Sequence, residues 1–319
     1  MKTHEHDAGS SVALVVGASR GLGLLVAREL GERGHRVVIC ARDDAELSEA
    51  AAVLRQSGID VTTKVCDVTD RDAVHAMVDQ VEDEVGPLHT VVTVAGIIHV
   101  GPLDSVTEAD FTEAVDIMLW GPVHVALAVL PYLRERGTGH IGTVTSIGGM
   151  VSVPHLLPYS TAKFGAVGFS QGLSAELAGT GVTATTIVPG LMRTGGHLHA
   201  LFSGQQTQEY AWFATSGSLP LVSMDAERAA TKMVDAVLAG KPTVILSPLA
   251  KIGARVHGLA PATTVRLMSV ASRLLPSAPV TGDPTATVPG SVADRRADSP
   301  LLERLIILGQ RAAKRFNET

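Results

Sequence analysis

A glycine-rich turn near the N-terminus places the strongest limit on how this chain can fold. The turn, residues 17–23 (GASRGLG), follows the apolar run 12–16, which predicts a buried strand. Residues 24–30 predict a helix, and residues 36–40 predict a second strand. In this arrangement glycines let the backbone turn tightly and approach a pyrophosphate at the helix N-terminus. The segment is therefore a candidate dinucleotide-binding unit.

The remaining apolar runs extend this unit into a larger sheet. Predicted helices separate the predicted strands, and such alternation is typical of a parallel sheet with right-handed crossovers. We therefore predict an α/β fold, a Rossmann-like doubly wound parallel sheet with helices on both faces and a ligand at the strand carboxyl ends. The predicted strands are 12–16, 36–40, 61–65, 89–94, 140–145, 183–188 and 243–247.

A second motif suggests proton chemistry. Tyr159 and Lys163 are four residues apart, so on a helix they share a face, and Ser146 lies thirteen residues upstream of the tyrosine. A nearby ammonium lowers the pKa of a phenol, which can then exchange a proton with a carbonyl or alcohol oxygen. The serine hydroxyl can hold the same oxygen. A Tyr-x-x-x-Lys spacing is common by chance, and a half-exposed helix face is the alternative; the glycine turn favours a catalytic site.

Together, the two sites resemble the short-chain dehydrogenase/reductase family over roughly residues 10–248. The resemblance implies that Ser146, Tyr159 and Lys163 are catalytic, with Tyr159 as acid or base and Lys163 also holding the nicotinamide ribose. It implies an oxidoreductase that binds a nicotinamide nucleotide. The residues expected to bind this cofactor are Gly17, Ser19, Arg20, Gly21, Leu22, Gly23, Arg42, Asp67, Val68, Ala95, Gly96, Tyr159, Lys163, Pro189, Gly190 and Thr194.

Two positions depart from the family pattern. Met118 stands where the family usually has an asparagine that helps to hold a proton-relay water, and a thioether is only a weak acceptor. Thr93 and Val94 replace the two asparagines of an Asn-Asn-Ala-Gly motif. Either the relay is built differently, the chemistry is slow, or the pocket is unusually apolar. These departures keep open a second function, a catalytically weak nucleotide-sensing or scaffold protein on the same fold.

Two arginines predict the cofactor type. Arg20 in the turn and Arg42 just beyond the second strand are placed to meet a 2′-phosphate, and Ala41 stands where NAD-preferring relatives carry an acid. Asp43, 20 residues after Gly23, argues the other way, because this is near the spacing of a ribose-binding acid. We expect NADP(H) to be preferred and NAD(H) to be accepted as an alternative.

Residues 191–220 predict a substrate lid. This stretch contains Phe202, Tyr210, Trp212 and Phe213, and an apolar pocket for a hydrophobic carbonyl or alcohol follows if they face the ligand. Ordinary core or interface packing explains the same residues equally well. His155 either lines this pocket or is a surface loop histidine. The predicted substrate-pocket residues are Gly148, His155, Phe202 and Trp212.

The character of the chain changes after residue 248, so we divide it into a domain of residues 1–248 and a C-terminal extension of residues 249–319. The extension has 10 Lys+Arg and 5 Asp+Glu, a net charge of +5. Within it we predict helices over 249–275, a flexible proline-rich linker over 276–300 and an amphipathic helix over 301–316. That last helix either rests on an anionic membrane or packs on the protein's own body or a second subunit. Residues beyond about 277 are expected to be dispensable for cofactor binding.

Composition sets the remaining expectations. The 319 residues are 45% hydrophobic, which suits a globular enzyme. The first ten residues lack the apolar core of a signal peptide, and no run of 18 apolar residues occurs, so we expect a cytoplasmic protein, with membrane association left open through the C-terminal helix. Twelve scattered histidines predict no metal site. Expected partners are a small hydrophobic carbonyl or alcohol and a second copy of the chain, but not nucleic acid.

Overall fold

The computed structural model describes residues 11–219, 223–279, 282–297 and 300–318. In chain order its strands are β1 (Val12–Val16), β2 (Arg36–Ala41), β3 (Val61–Val65), β4 (Leu88–Thr93), β5 (His99–Val100), β6 (Gly139–Val144), β7 (Val182–Val188), β8 (Met192–Arg193), β9 (Leu201–Phe202), β10 (Met224–Asp225), β11 (Thr243–Ile245) and β12 (Val288–Pro289). Its helices are α1 (Gly21–Glu32), α2 (Asp44–Gln56), α3 (Arg71–Glu84), α4 (Glu108–Val115), α5 (Gly121–Arg136), α6 (Leu157–Glu176), α7 (Gly196–His199), α8 (Gln206–Ser218), α9 (Ala226–Leu238), α10 (Pro248–Leu259), α11 (Pro261–Ser272), α12 (Gly290–Ala297) and α13 (Pro300–Arg315).

Seven strands form one parallel sheet in the order β11-β7-β6-β4-β1-β2-β3. Val15 of β1 pairs with Ile39 of β2 on one side and with Val92 of β4 on the other. The strand order reverses between β1 and β4, and the crevice at such a reversal is where ligands bind in these sheets. The predicted Rossmann-like doubly wound fold is confirmed. Each sheet strand lies within two residues of its predicted bounds.

Helices cover both faces of this sheet. On one face α1 and α9 pack together, and Leu30 and Val234 are buried between them and the strands. On the other face α3 and α5 bury Val78 and Val129. Because both faces are covered, β1 is buried at all five positions, which explains its continuous apolar sequence.

One continuous helical run, Glu108–Arg136, joins α4 to α5 through a π-helical turn at Asp116–Trp120. By length and composition this run could cross a membrane, with a mean hydropathy of 1.6, but 56% of the tested window is buried inside the fold. We interpret it as a core helix, since residues such as Val125 and Leu133 pack against the sheet. A π turn of this kind often occurs at a functional site.

Part of the segment predicted as a flexible linker, 276–300, differs from that expectation: residues 288–297 form β12 and α12, whereas residues 276–279 and 282–287 have no helix or strand. Val288 of β12 pairs with Phe202 of β9, and α12 packs against α7 and α8. Gly290 allows the close approach to α7, because a Cβ there would lie 1.9 Å from the carbonyl oxygen of His197. Pro289 misleads because it closes a two-residue strand rather than standing inside an element.

The amphipathic helix predicted over 301–316 is α13, Pro300–Arg315. Ile306, Ala313 and Phe316, just after the helix, are buried, and α13 packs against α8. Of the alternatives that the sequence left open, the structure therefore has the helix packed on the protein's own body. This packing brings the residues after α13 to the carboxyl edge of the sheet.

Candidate active site

A crevice of ≈ 700 Å³ lies at the carboxyl ends of the central strands. It brings together residues from segments that are distant in the chain, because parallel strands end at one edge of the sheet. Every residue predicted as catalytic or cofactor-binding lines it: Gly17, Ser19, Arg20, Gly21, Leu22, Gly23, Arg42, Asp67, Val68, Ala95, Gly96, Ser146, Tyr159, Lys163, Pro189, Gly190 and Thr194. Their shared location supports the prediction; their individual roles stay predictions.

The glycine turn is shaped by backbone crowding. Gly17 has φ +85°, and a Cβ on it would lie 2.5 Å from the backbone nitrogen of Ala95. A Cβ on Gly23 would lie 1.9 Å from the carbonyl oxygen of Gly17. Only glycine fits these positions without moving the backbone. The turn consequently directs the N-terminus of α1 toward the crevice, where backbone N–H groups and the helix dipole favour an anion.

The end of the crevice beside β2 carries both positive and negative side chains. Arg20 pairs with Glu46, and the Ser19 hydroxyl donates to the same carboxylate at 2.9 Å. Arg42 is largely exposed, and its Nη1 lies 3.9 Å from Asp67 Oδ2. Sequence reasoning missed Glu46, which lies in the first turn of α2. It holds the arginine that was predicted to meet a 2′-phosphate.

Asp43, the acid that argued for NAD, has a structural task. It is the N-cap residue of α2, and its Oδ1 accepts the backbone N–H of Glu46 at 2.9 Å. Removing such a cap costs about 1 kcal/mol of helix stability. The spacing that suggested a ribose ligand is therefore explained by helix capping.

The predicted catalytic residues come from two neighbouring elements. Ser146 caps the 3₁₀ turn Ile147–Gly149, and its Oγ accepts the Gly148 N–H at 3.0 Å. Tyr159 and Lys163 lie one turn apart on α6. A Cβ on Gly148 would lie 3.0 Å from Tyr159 Cε1 and 3.4 Å from Ser146 Oγ, so this glycine sits between the serine and the tyrosine. The geometry leaves both hydroxyls able to meet one substrate oxygen.

Lys163 is oriented by the backbone. Its Nζ donates to the carbonyl oxygen of Val144 at 2.9 Å and lies 5.9 Å from the centroid of the Tyr159 ring. Burial lowers the pKa of Lys163 to about 8. The ammonium group of Lys163 is therefore close enough to influence the phenol electrostatically, but burial also makes this ammonium easier to deprotonate.

The pKa of Tyr159 moves opposite to the sequence-based expectation. Burial raises the pKa of the phenol, and a hydrogen bond with Ser146 only partly offsets this. Spacing along a helix identified the lysine as a partner but could not reveal how strongly burial opposes the phenolate. In this state Tyr159 is a protonated phenol, which suits it to donate a proton to a carbonyl oxygen.

Met118 lies in the π turn and is 1% exposed. A Cβ on Gly96 would lie 3.3 Å from the Met118 sulfur and 3.9 Å from Lys163 Nζ, so the two side chains flank the same glycine. Met118 thus lines the crevice next to Lys163, which is the position that the resemblance to the family implies. Its neighbours Ile117 and Ala114 make this wall apolar.

The four predicted substrate-pocket residues do not form one surface. Gly148 lies between Ser146 and Tyr159, as described above. Phe202 is 0% exposed and packs edge-to-face on Tyr210, with centroids 5.5 Å apart, so its assignment to the pocket was wrong. Aromatic residues are enriched in pockets and in cores alike, and here they belong to a buried apolar cluster around Phe202 and Tyr210.

His155 and Trp212 meet at a buried carboxylate. His155 Nδ1 lies 2.9 Å from Glu209 Oε1, and Trp212 Nε1 donates to Glu209 Oε2 at 2.7 Å. The Glu209 side chain is 0% exposed. His155 therefore anchors α8 rather than standing free on a surface loop.

A second cavity of ≈ 610 Å³ lies beside the start of α6. His155 and Leu157 line it on one side, and Val265 and Met268 of α11 line it on the other. Its walls are mostly apolar. Leu157 and Phe164 place one wall of this cavity on α6, the helix that also carries Tyr159 and Lys163.

Comparison with known proteins agrees with the geometry. The model of the short chain dehydrogenase family matches residues 11–200. A Streptomyces coelicolor protein described as a ketoacyl reductase is 38% identical over 187 residues, 58% of this chain and 72% of that protein. Rat 17-beta-hydroxysteroid dehydrogenase 13 is 36% identical over 59% of this chain and 63% of its own length.

Comparison with solved structures also agrees with the geometry. An actinorhodin polyketide ketoreductase variant in complex with NADPH is 29% identical, with a TM-score of 0.67, and the match covers 77% of this chain and 98% of that one. A short-chain dehydrogenase from Streptomyces avermitilis is 25% identical with a TM-score of 0.71, covering 86% and 99%. Each match covers nearly the whole length of the solved chain, whereas part of this chain lies outside the match.

Proposed function

Because this chain belongs to the short-chain dehydrogenase family of NAD(P)-dependent oxidoreductases, we propose that it interconverts a carbonyl and an alcohol on a hydrophobic small molecule, with NADP(H) as cofactor. The observation that carries this proposal is the single crevice lined by Ser146, Tyr159, Lys163 and the glycine turn. A protein that only binds a nucleotide does not need all three of Ser146, Tyr159 and Lys163.

The mechanism follows from the positions of these three side chains. The bound nicotinamide supplies or accepts the hydride. Ser146 Oγ and the Tyr159 hydroxyl hold the substrate oxygen, and Tyr159 donates its proton to that oxygen during reduction. In the oxidative direction Tyr159 takes the proton back. Lys163, fixed by the Val144 carbonyl oxygen, stabilises the phenolate that forms when the proton leaves.

The preference for NADP(H) rests on Arg20 and Arg42, which line the crevice near the end of β2. Asp43 is occupied as a helix cap and does not compete for the ribose. Arg20 would have to exchange Glu46 for the 2′-phosphate, whereas Arg42 is already largely exposed. An arginine–phosphate contact is charge-assisted and can be bidentate. The similar actinorhodin ketoreductase was solved with NADPH.

Arg42→Ala should weaken NADPH binding about tenfold, the loss of one charge-assisted contact, and leave NADH binding nearly unchanged. Titration of both cofactors into the two proteins by calorimetry measures this. Arg134→Ala is the matched control, because Arg134 is exposed in the last turn of α5, which ends near the opposite edge of the sheet. If NADH binds wild-type protein more tightly than NADPH, the proposed preference is wrong.

A hydrophobic substrate is favoured by the apolar second cavity and by the wall formed by Ile117 and Met118. The similar proteins are named for ketoacyl groups and for 17-beta-hydroxysteroids, both of which carry large apolar parts. We expect NADPH oxidation with bulky hydrophobic ketones and little with small polar ones such as hydroxyacetone. Tight NADPH binding without turnover on any ketone or alcohol would instead support the nucleotide-sensing alternative.

A homo-oligomer is proposed from exposed apolar side chains on the α5–α6 side. Trp120, Leu127 and Phe164 are 50%, 52% and 41% exposed. Large exposed apolar groups on adjacent helices are typical of subunit contacts. Light scattering of the wild-type protein and of Phe164→Glu distinguishes an oligomer from a monomer.

Membrane contact is better supported at α10 and α11 than at the C-terminal helix. Leu259 and Leu274 are 89% and 84% exposed, and the segment 248–282 carries Lys and Arg but no Asp or Glu. The buried side of α13 is used by the protein itself. A cytoplasmic location with peripheral association stays a prediction, which salt-dependent co-sedimentation with anionic vesicles checks.

A further inference from the structure

The residues that follow α13 lie inside the crevice, at the N-terminus of α1. The backbone N–H of Gly21 donates to the carbonyl oxygen of Phe316 at 2.8 Å. The N–H of Gly195 donates to Glu318 Oε2 at 2.6 Å. The other carboxylate oxygen lies 2.8 Å from where a Cβ on Gly21 would be. The carboxylate is therefore hydrogen-bonded to the segment after β8 and lies against the glycine turn.

Several further contacts hold this tail, which we define as residues 316–318. Phe316 is 3% exposed and belongs to the apolar cluster under α1 and α9. Asn317 Nδ2 donates to the Ser19 carbonyl oxygen at 3.2 Å. His199 Nε2 lies 3.0 Å from the Glu318 carbonyl oxygen. The tail is thus docked by side chain and backbone together, and Phe316 acts as its anchor.

The Glu318 carboxylate lies where an anionic ligand would bind. The N-terminus of α1 and the glycine turn form the anion-binding end of a dinucleotide site. A diphosphate there would need the N–H of Gly21, which already donates to the Phe316 carbonyl oxygen, and its charge has the same sign as that of the adjacent Glu318 carboxylate. They cannot share the space.

The electrostatics agree with a contact that can be exchanged. Burial raises the pKa of Glu318 to about 7, while the Gly195 N–H and Arg20 act in the opposite direction. Desolvation therefore weakens the hold of the site on the ionised carboxylate. A diphosphate brings more negative charge to the N-terminus of α1 and to Arg20.

We propose that the tail is an intramolecular competitor for the diphosphate of the cofactor, with Glu318 leaving the glycine turn each time a dinucleotide binds. The proposal rests on the proposed function only in that the crevice binds a dinucleotide. The tail then sets the apparent affinity for the cofactor, because only the undocked fraction of the protein can bind it. The C-terminal region is therefore connected to the cofactor site, and a competitor of this kind agrees with the prediction that residues beyond about 277 are dispensable for cofactor binding.

The first test measures binding rather than turnover. If the tail is docked in about nine-tenths of the molecules, Glu318→Ala should tighten NADPH binding about tenfold. The same gain should appear with ADP, which carries a diphosphate, and be absent with adenosine, which does not. Glu135→Ala, which removes an exposed acid on α5, is the control and should change none of the three affinities.

The outcomes separate the two proposals. If wild-type and Glu318→Ala both fail to bind NADPH while their melting temperatures show folded protein, the proposed function is wrong. If both bind NADPH equally well, the dinucleotide site stands and the competitor is refuted. A weaker affinity in Glu318→Ala would also refute it, because the tail would then be part of the binding surface.

Hydrogen exchange supplies a second readout on the unmodified protein. The Glu318 N–H donates to the Ala313 carbonyl oxygen at 3.0 Å, and this bond is lost if the tail leaves. Saturating NADPH should speed exchange in a peptide covering the tail and slow it in a peptide covering the glycine turn. Slower exchange in both peptides would show a tail that closes over the cofactor, and would overturn the proposal.

Discussion

Tyr159→Phe should lower turnover by about 10²–10⁴-fold, the range of a lost general acid, while NADPH affinity stays nearly unchanged. The hydroxyl is the proton donor next to Ser146, and burial keeps it protonated in the free protein. Phenylalanine keeps the ring, which packs against the apolar cluster between the sheet and helices α3 and α5 and against the cluster around Phe202 and Tyr210. NADPH oxidation with a hydrophobic ketone, together with NADPH titration, measures both effects.

Tyr132→Phe is the matched control for this experiment. The Tyr132 hydroxyl donates to Asp79 at 2.7 Å on the exposed side of α5, so its loss should leave turnover unchanged. A Tyr159→Phe protein with a rate near that of wild type would show that another group donates the proton. A Tyr159→Phe protein that no longer binds NADPH would show that the hydroxyl has a structural task instead.

The sheet was predictable because its signals are local. The central strands β1 and β2 are short, mostly apolar runs bounded by turn residues, and strands buried on both faces have little choice of alternative structure. The crevice was predictable for a related reason. Once Gly17 and Tyr159 are assigned to the carboxyl ends of parallel strands or to the helices that follow them, the topology brings them together.

The features that were missed depend on contacts distant in sequence. Glu318 meets Gly21 and Gly195 only because α13 packs on α8, and no local pattern records that packing. Phe202 was assigned to the pocket because aromatic residues cluster around it, but a cluster does not reveal which way the side chains face. The raised pKa of Tyr159 depends on its burial, which the Tyr–Lys spacing does not report.

Proline content misled for a more specific reason. In the segment 276–300, Pro289 and Pro300 stand where an element ends or begins, positions at which a missing N–H costs little. Ala293 between them is fully buried, and the Tyr210 hydroxyl donates to Asp294 at 2.9 Å. A composition count treats these prolines as signs of a linker, although their positions are compatible with α12 and α13.

The second large effect is expected at Met118. Its side chain is 1% exposed within an apolar cluster, so Met118→Asn buries an amide without matching partners. The cost is roughly 1–3 kcal/mol. We expect a melting temperature several degrees lower and slower turnover, because the altered wall lies beside Gly96 and Lys163. Thermal melts and steady-state rates on the same preparations measure the two quantities together.

Met118→Leu separates polarity from shape. A methionine-to-leucine change conserves volume and usually costs less than about 1.5 kcal/mol, so this variant should keep most of its stability and rate. The opposing account is that the asparagine found in the family holds a relay water that this chain lacks. On that account Met118→Asn would be as stable as wild type and faster, with Met118→Leu unchanged. A destabilised, slower asparagine variant beside a normal leucine variant would mean that Met118 packs an apolar wall and that the proton path to Lys163 runs elsewhere, without the asparagine.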